Sequence, residues 1–127
     1  MCYCGSAKQY KNCCQPIHKN PSKASTPEAL MRSRFSAYCL GLVDYIINTY
    51  HPSCNAQSDR DGITEAAKTD WQKLLVKSSH VDADGLQGFV HFKAFYNQDR
   101  QSFCLEERSR FVKESGQWFY IDGELFD

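Results

Sequence analysis

Residues 86–122 read LQGFVHFKAFYNQDRQSFCLEERSRFVKESGQWFYID, and their apolar positions recur at every second residue. Val90, Phe92, Ala94 and Tyr96 alternate with Phe89, His91, Lys93 and Phe95. Residues 97–100 turn the chain, and 101–113 alternate again, with Phe103, Leu105 and Phe111 on one face and Cys104 and Val112 on the other. Glu114, Ser115 and Gly116 make a further turn before a last run that holds Trp118, Phe119, Tyr120 and Ile121. Successive side chains of a strand point to opposite faces, so a period of two sustained over this length marks β-strands. Turns this short leave room only for antiparallel neighbours. One more strand is expected at 76–81, closed by the turn Asp82-Ala83-Asp84-Gly85.

Upstream of the strands the period becomes helical. Ser25 or Thr26 can cap, Pro27 suits the first helical position, and Glu28 suits the positive end of the helix dipole. Leu30, Met31, Phe35, Tyr38 and Leu42 then recur at helical spacing, with Gly41 as a stop or kink. Leu42, Val43, Ile46, Ile47 and Tyr50 carry the pattern on until His51-Pro52 ends it. Residues 53–62 are polar and read as a loop. Thr64 and Glu65 open an expected third helix, with Ile63, Ala67, Trp71, Leu74 and Leu75 on one face. Helices first and a meander afterwards give an α+β fold with helices packed on an antiparallel sheet, not alternating βαβ units.

The chain has 127 residues, 42% hydrophobic and 13% aromatic, which is enough for one core and excludes disorder throughout. No apolar run approaches the ~18 residues of a membrane span. The first residues also lack the basic-then-apolar layout of a secretory signal, so a cytoplasmic protein is expected. Fifteen basic and fifteen acidic side chains leave no net charge, which argues against nucleic acid as the partner. The balance is uneven along the chain. Residues 1–27 hold Lys8, Lys11, Lys19 and Lys23 and no acid, so a small basic knob precedes an acidic body.

Four of the seven cysteines, Cys2, Cys4, Cys13 and Cys14, lie within the first fourteen residues. Tetrahedral zinc places its ligand sulfurs about 3.8 Å apart, given Zn–S bonds of about 2.3 Å. The neighbours Cys13 and Cys14 can reach that separation, whereas a disulfide between them would close a strained ring. Soft sulfur ligands select zinc ahead of an iron–sulfur centre, so one structural zinc ion held by these four thiolates is expected, with Lys8 and Lys11 favouring the ionised sulfurs. Cys39 and Cys104 read as small core residues and Cys54 as a solvent-exposed thiol. Residues 18–25, HKNPSKAS, read as a polar linker.

The segment CYCGSAKQYKNCC, residues 2–14, resembles the SEC-C motif, a zinc-binding element also found at the C-terminus of the SecA preprotein translocase ATPase. Tyr3 stands where that motif more often has Pro, and Ala7 where it commonly has Gly; the four cysteines are unaffected. TPEALMRSRFSAYCLGLVDYIINTYHPS (26–53) and SRFVKESGQWFYIDG (109–123) resemble the bacterial YchJ-like family, an uncharacterised group. Some relatives carry a second SEC-C motif, which the sequence up to Asp127 lacks. The resemblance implies a SEC-C unit at 1–17 and, at 26–127, a nuclear-transport-factor-2-like domain in which helices pack on a curved antiparallel sheet to form a cone. It also implies that the SEC-C unit docks onto a protein partner, with Lys8, Tyr10 and Lys11 exposed for contact.

The alternative function is a small-molecule binder or enzyme that uses the cavity of the cone. Its candidate polar groups are Arg32, Arg34, His51, His91, Glu106, Glu107, Arg108 and Asp122. His91 alternates with Phe89 and Phe95 and is expected in an aromatic pocket, where a carboxylate of the next strand could make it a general base. His51 is expected to cap the negative end of the second helix. Glu107 is expected in a surface or edge ion pair with Arg108 or Arg110. Arg32 and Arg34 differ by about 200° around the helix, so at most one can face the sheet. No nucleophile–base spacing, phosphate loop or dinucleotide fingerprint is present.

Overall fold

The computed structural model describes residues 1–126; Asp127, the last position of the expected α+β domain, lies outside them. Within these residues the order is α1 (Cys14–Lys19), α2 (Pro27–Leu40), α3 (Val43–Asn48) and α4 (Arg60–Ala67), then β1 (Asp70–Val81), β2 (Gln87–Gln98), β3 (Gln101–Glu114) and β4 (Gln117–Phe126). The strands form one antiparallel meander in the order β1-β2-β3-β4. The α+β expectation holds, with the helices preceding the sheet.

Local chemistry sets the boundaries of α2. Thr26 lies in extended backbone and accepts at Oγ1 from the Ala29 N–H (3.0 Å), while Pro27 takes the first helical position. At the other end Gly41 adopts φ +72°, and its N–H reaches the Ala37 and Tyr38 carbonyls. The continuous helical pattern of residues 30–50 therefore breaks into α2 and α3. Two hairpins turn on two residues each, Asp99-Arg100 and Ser115-Gly116, all four with positive φ as primed turns require.

The core lies between α2 and the inner face of the sheet. Leu30 and Phe35 of α2 pack with Leu74, Val90, Phe92, Phe111 and Trp118, and the helices close a second cluster around Ala37, Tyr45, Ile46 and Ile63. After α3 the chain joins the sheet briefly: the Tyr120 N–H donates to Thr49 O (2.9 Å) and the His51 N–H to Tyr120 O (2.7 Å).

The expected third helix is too long. It ends at Ala67, and Trp71, Leu74 and Leu75 belong to β1. The register slips between Trp71 and Lys73, so Gln72 is an extra residue in the ladder. That bulge puts Trp71 and Leu74 on the same inner face at a spacing of three, which imitates helical periodicity. Leu75, 45% exposed, points outward. Within the expected loop at 53–62, short 3₁₀ turns occupy Pro52–Cys54 and Ala56–Asp59. The expected linker is packed: His18 belongs to α1, Pro21–Lys23 is a 3₁₀ turn and Ala24 is buried in the core. Cys104 is exposed on the outer face of β3, not in the core, because Phe103 and Leu105 set the opposite alternation. Cys54 is half-buried, with its thiol 3.2 Å from Ile121 O.

Gly88 governs how closely α2 approaches β2. A Cβ there would sit 2.5 Å from Pro27 Cγ and 3.0 Å from His80 O, so any larger residue pushes the helix start off the sheet. Gly88→Ala is expected to cost about 1–3 kcal/mol through this overpacking. Urea denaturation checks it, and an unchanged midpoint would show that the contact yields freely.

Candidate functional site

The N-terminal fourteen residues fold as a tight loop followed by a helix start. The Cys2 N–H donates to Lys8 O (2.6 Å) and the Gly5 N–H to Cys2 O (3.1 Å), with Gly5 at φ +88°, a conformation suited to glycine. Tyr10–Asn12 forms a single 3₁₀ turn that delivers Cys13, and Cys14 opens α1. The turn thus supplies Cys2 and Cys4, and the helix start supplies Cys13 and Cys14. Their four sulfurs all lie within 4.8 Å of one another, and the Cys4 and Cys13 sulfurs are 3.7 Å apart, close to a tetrahedral edge around a metal. Cys2, Cys4 and Cys14 are buried and Cys13 is half-buried.

The protonation of the cluster is split. Hydrogen bonding from Cys14 holds the Cys4 thiol down to about 4, against the opposing effect of burial. Cys14 is pushed up, first by that same bond and then by burial, and Cys13 is pushed up by burial. Cys4 is thereby favoured as a thiolate, and a bound divalent cation would favour the thiolate form at all four ligands. These four cysteines are positioned to hold a metal ion.

The cysteine unit is bound firmly to the body. Arg32 of α2 donates from Nη1 to Cys4 O (2.8 Å) and from Nε to Glu28 (3.0 Å), and Glu28 accepts from Ser79 of β1 (3.1 Å). His18 lies 2.7 Å from both the Tyr10 hydroxyl and Ser33 O. A carbonyl only accepts, so Nε2 carries the proton toward Ser33 and Nδ1 accepts from Tyr10. The His18 ring also stands edge-on to Tyr45, centroids 4.7 Å apart. Tyr10 is accordingly half-buried between His18 and Tyr3, not presented to solvent as expected. Lys8 and Lys11 are exposed, as are Lys19 and Lys23.

A cavity of about 210 Å³ opens between α2 and the inner face of the sheet. Phe35, Tyr38, Trp71 and Phe92 supply its aromatic walls, and Arg34, Glu107 and Ser109 its most polar groups. Glu107 accepts from the Tyr120 hydroxyl (3.0 Å) and from Ser109. Arg34, 4% exposed, donates from Nη1 to Ile46 O (3.0 Å) and Thr49 Oγ1 (2.6 Å).

Similarity to known proteins follows the same two parts. The family described as YchJ, middle NTF2-like domain, matches residues 26–123, and the SEC-C motif matches residues 1–16. The chain belongs to the YchJ-like family. A UPF0225 protein of Vibrio cholerae is 54% identical over 124 residues, spanning 98% of this chain and 82% of that protein. Another, from Vibrio parahaemolyticus, is 52% identical over 122 residues, spanning 96% and 73%. The solution structure of a SEC-C motif containing protein from Rhodopseudomonas palustris superposes with a TM-score of 0.90 at 37% identity, covering 99% of this chain and 98% of that one. The crystal structure of a SEC-C motif containing protein from Psychrobacter arcticus gives 0.82 at 28% identity, covering 100% and 83%. No helix among the described residues is long and apolar enough to cross a membrane.

Within the YchJ-like domain several candidate residues stand elsewhere than expected. His91 points away from the cavity, because Val90 and Phe92 take the inner face; it bonds Glu106 (2.6 Å) and stacks on Phe126 on the outer face. The carboxylate partner exists, but without a pocket. His51 does not cap α3, whose last turn ends on Thr49; its ring accepts from the Ser53 N–H (3.1 Å) and reaches Glu114 (2.5 Å). Glu107 faces the cavity and forms no ion pair among the described residues, while Arg110 pairs with Asp122 (2.8 and 2.5 Å) and Arg108 lies 3.9 Å over the Phe89 ring. Arg32 and Arg34 do part company, one to the cysteine unit and one to the cavity. His18 went unmarked in the sequence because only the folded chain supplies Tyr10, Ser33 and Tyr45 around it.

Burial pushes His18 below its ordinary value of 6.5. The unfolded chain therefore takes up a proton first as pH falls, and stability present above about 6.5 is lost below it. Unfolding free energies of wild type and His18→Gln between pH 7.5 and 5.5 are expected to differ in slope, with the wild type steeper. Parallel slopes would remove His18 as the source.

Proposed function

We propose that the protein is a zinc-stabilised interaction module of the bacterial cytoplasm, which docks through its SEC-C unit onto an acidic surface of a protein partner. Soft sulfur donors favour zinc, and zinc supplies rigidity to a segment too short to hold its shape by apolar burial. With all four positions taken by sulfur, none remains for a reacting water, so the role assigned to the metal is structural. None of the seven cysteines is joined to another in a disulfide, which suits a reducing compartment.

The observation that carries the docking reading is the charge on this rigid unit. Lys8, Lys11, Lys19 and Lys23 are exposed, and among the described residues none lies within 4.0 Å of a carboxylate. No acid precedes Glu28 to neutralise them. Met1 and Tyr3, 85% and 51% exposed, add apolar surface to the same unit. An exposed ion pair is worth at most about 1 kcal/mol, so the lysines would orient an incoming partner and the apolar groups would supply the contact.

Elemental analysis of protein purified under reducing conditions is expected to give one zinc per chain, with Cys13→Ser losing most of it; a wild-type ratio near zero refutes the metal assignment. Affinity capture followed by mass spectrometry tests the docking. Reversal of the four lysines to Glu is expected to deplete specific partners while the zinc ratio stays at one. Identical partner sets with and without the reversal refute docking through this unit.

A further inference from the structure

We propose that the cavity between α2 and the sheet binds a small aromatic carboxylate that also carries a hydroxyl or amino group. The first argument is the state of Arg34. A buried guanidinium is costly unless its charge and donors are met. Its Nη1 is met by Ile46 O and Thr49 Oγ1, and the rings of Tyr50 (4.4 Å) and Tyr120 (4.8 Å), themselves edge-to-face, pack against the guanidinium from one side. Among the described residues, however, no carboxylate lies within 4.0 Å, and Nε and Nη2 have no acceptor. A role in tying α2 to the end of α3 accounts for Nη1 alone. The protein itself shows what the other edge is suited to: Arg110 uses Nε and Nη2 together to grip the two oxygens of Asp122. Arg34 lines the cavity and carries the same Nε–Nη2 fork, which no acceptor among the described residues meets.

The second argument is Glu107. Its Oε2 takes the hydroxyls of Tyr120 and Ser109, and Oε1 has no donor among the described residues. The cavity therefore holds one cation and one anion that are not paired with each other, each with capacity to spare. A ligand that brings a carboxylate to Arg34 and a donor to Glu107 meets both.

The walls and the size define the rest. Phe35, Trp71 and Phe92 favour a flat aromatic ring. A volume of about 210 Å³ is below the 300–1,000 Å³ of drug-sized pockets, which limits the occupant to one substituted ring. An unsubstituted aromatic acid would leave Glu107 unmet, a phenol would leave Arg34 unmet, and inorganic phosphate would waste the aromatic surface.

Calorimetric and two-dimensional NMR titration of the full chain with 3- and 4-hydroxybenzoate, benzoate and phenol tests the assignment. The better hydroxybenzoate is expected to bind at least about tenfold more tightly than benzoate or phenol, the worth of one hydrogen bond to a charged group. It should shift resonances of Phe92 and Ala94. Glu107→Gln is expected to erase the advantage over benzoate, and Arg34→Lys to weaken both acids at least about tenfold while leaving phenol unchanged. Ala94→Leu narrows the cavity without touching either charge and is expected to abolish binding with the zinc ratio unchanged. The proposal is overturned if no probe binds at millimolar concentration, if hydroxybenzoates and benzoate bind alike, or if folded Ala94→Leu binds as the wild type does.

Discussion

A two-residue step along an α-helix turns a side chain through about 200°, and on α2 this rotation separates two arginines with different tasks. Arg32 leaves the helix on the side of the cysteine unit and holds Cys4 by its carbonyl. Arg34 leaves on the opposite side and enters the cavity beneath the helix. Both outcomes require α2 to sit at one height and one angle on the sheet. Pro27 resting on the bare backbone of Gly88 sets that height, and Leu30 and Phe35 packed on Phe92 and Phe111 keep it. The orientation of the cysteine unit and the cavity are thus two consequences of one docked helix.

The same helix explains why the N-terminal unit is not a tethered appendage. Its sulfurs gather through their own short loop, but its orientation comes from Arg32, from the Glu28–Ser79 bond and from His18 wedged among Tyr10, Ser33 and Tyr45. His18 is positioned for this only as a neutral ring, one nitrogen donating and the other accepting. The surface lysines consequently ride on a frame whose direction relative to the body is fixed.

Much of this was legible in the chain. The meander could be read because β2 and β3 alternate over a dozen residues or more and turn on polar, glycine-containing or sterically special pairs. The four cysteines could be read because their spacing brings them together locally. Misreadings arose where tertiary structure supplies the signal. A bulge at Gln72 gave β1 a helical spacing, and both faces of β2 carry aromatics, so alternation alone could not say that His91 points outward. The parity that places Leu105 and Phe111 inward also places Glu107 inward; its position was available in the sequence and was masked by its charge. The polar run 18–25 reads as a linker because composition says nothing about partners fifteen residues away, such as Ser33 for His18.

An open meander leaves its first and last strands with unpaired backbone groups, the usual route to edge-to-edge strand pairing between molecules. In this protein neither side is bare. Tyr120 of β4 exchanges two backbone bonds with Thr49 and His51, and the N-terminal loop flanks β1, with Gly5 lying against Leu74 O. The loop that gathers the sulfurs therefore also shields part of the β1 edge, so its integrity bears on colloidal solubility.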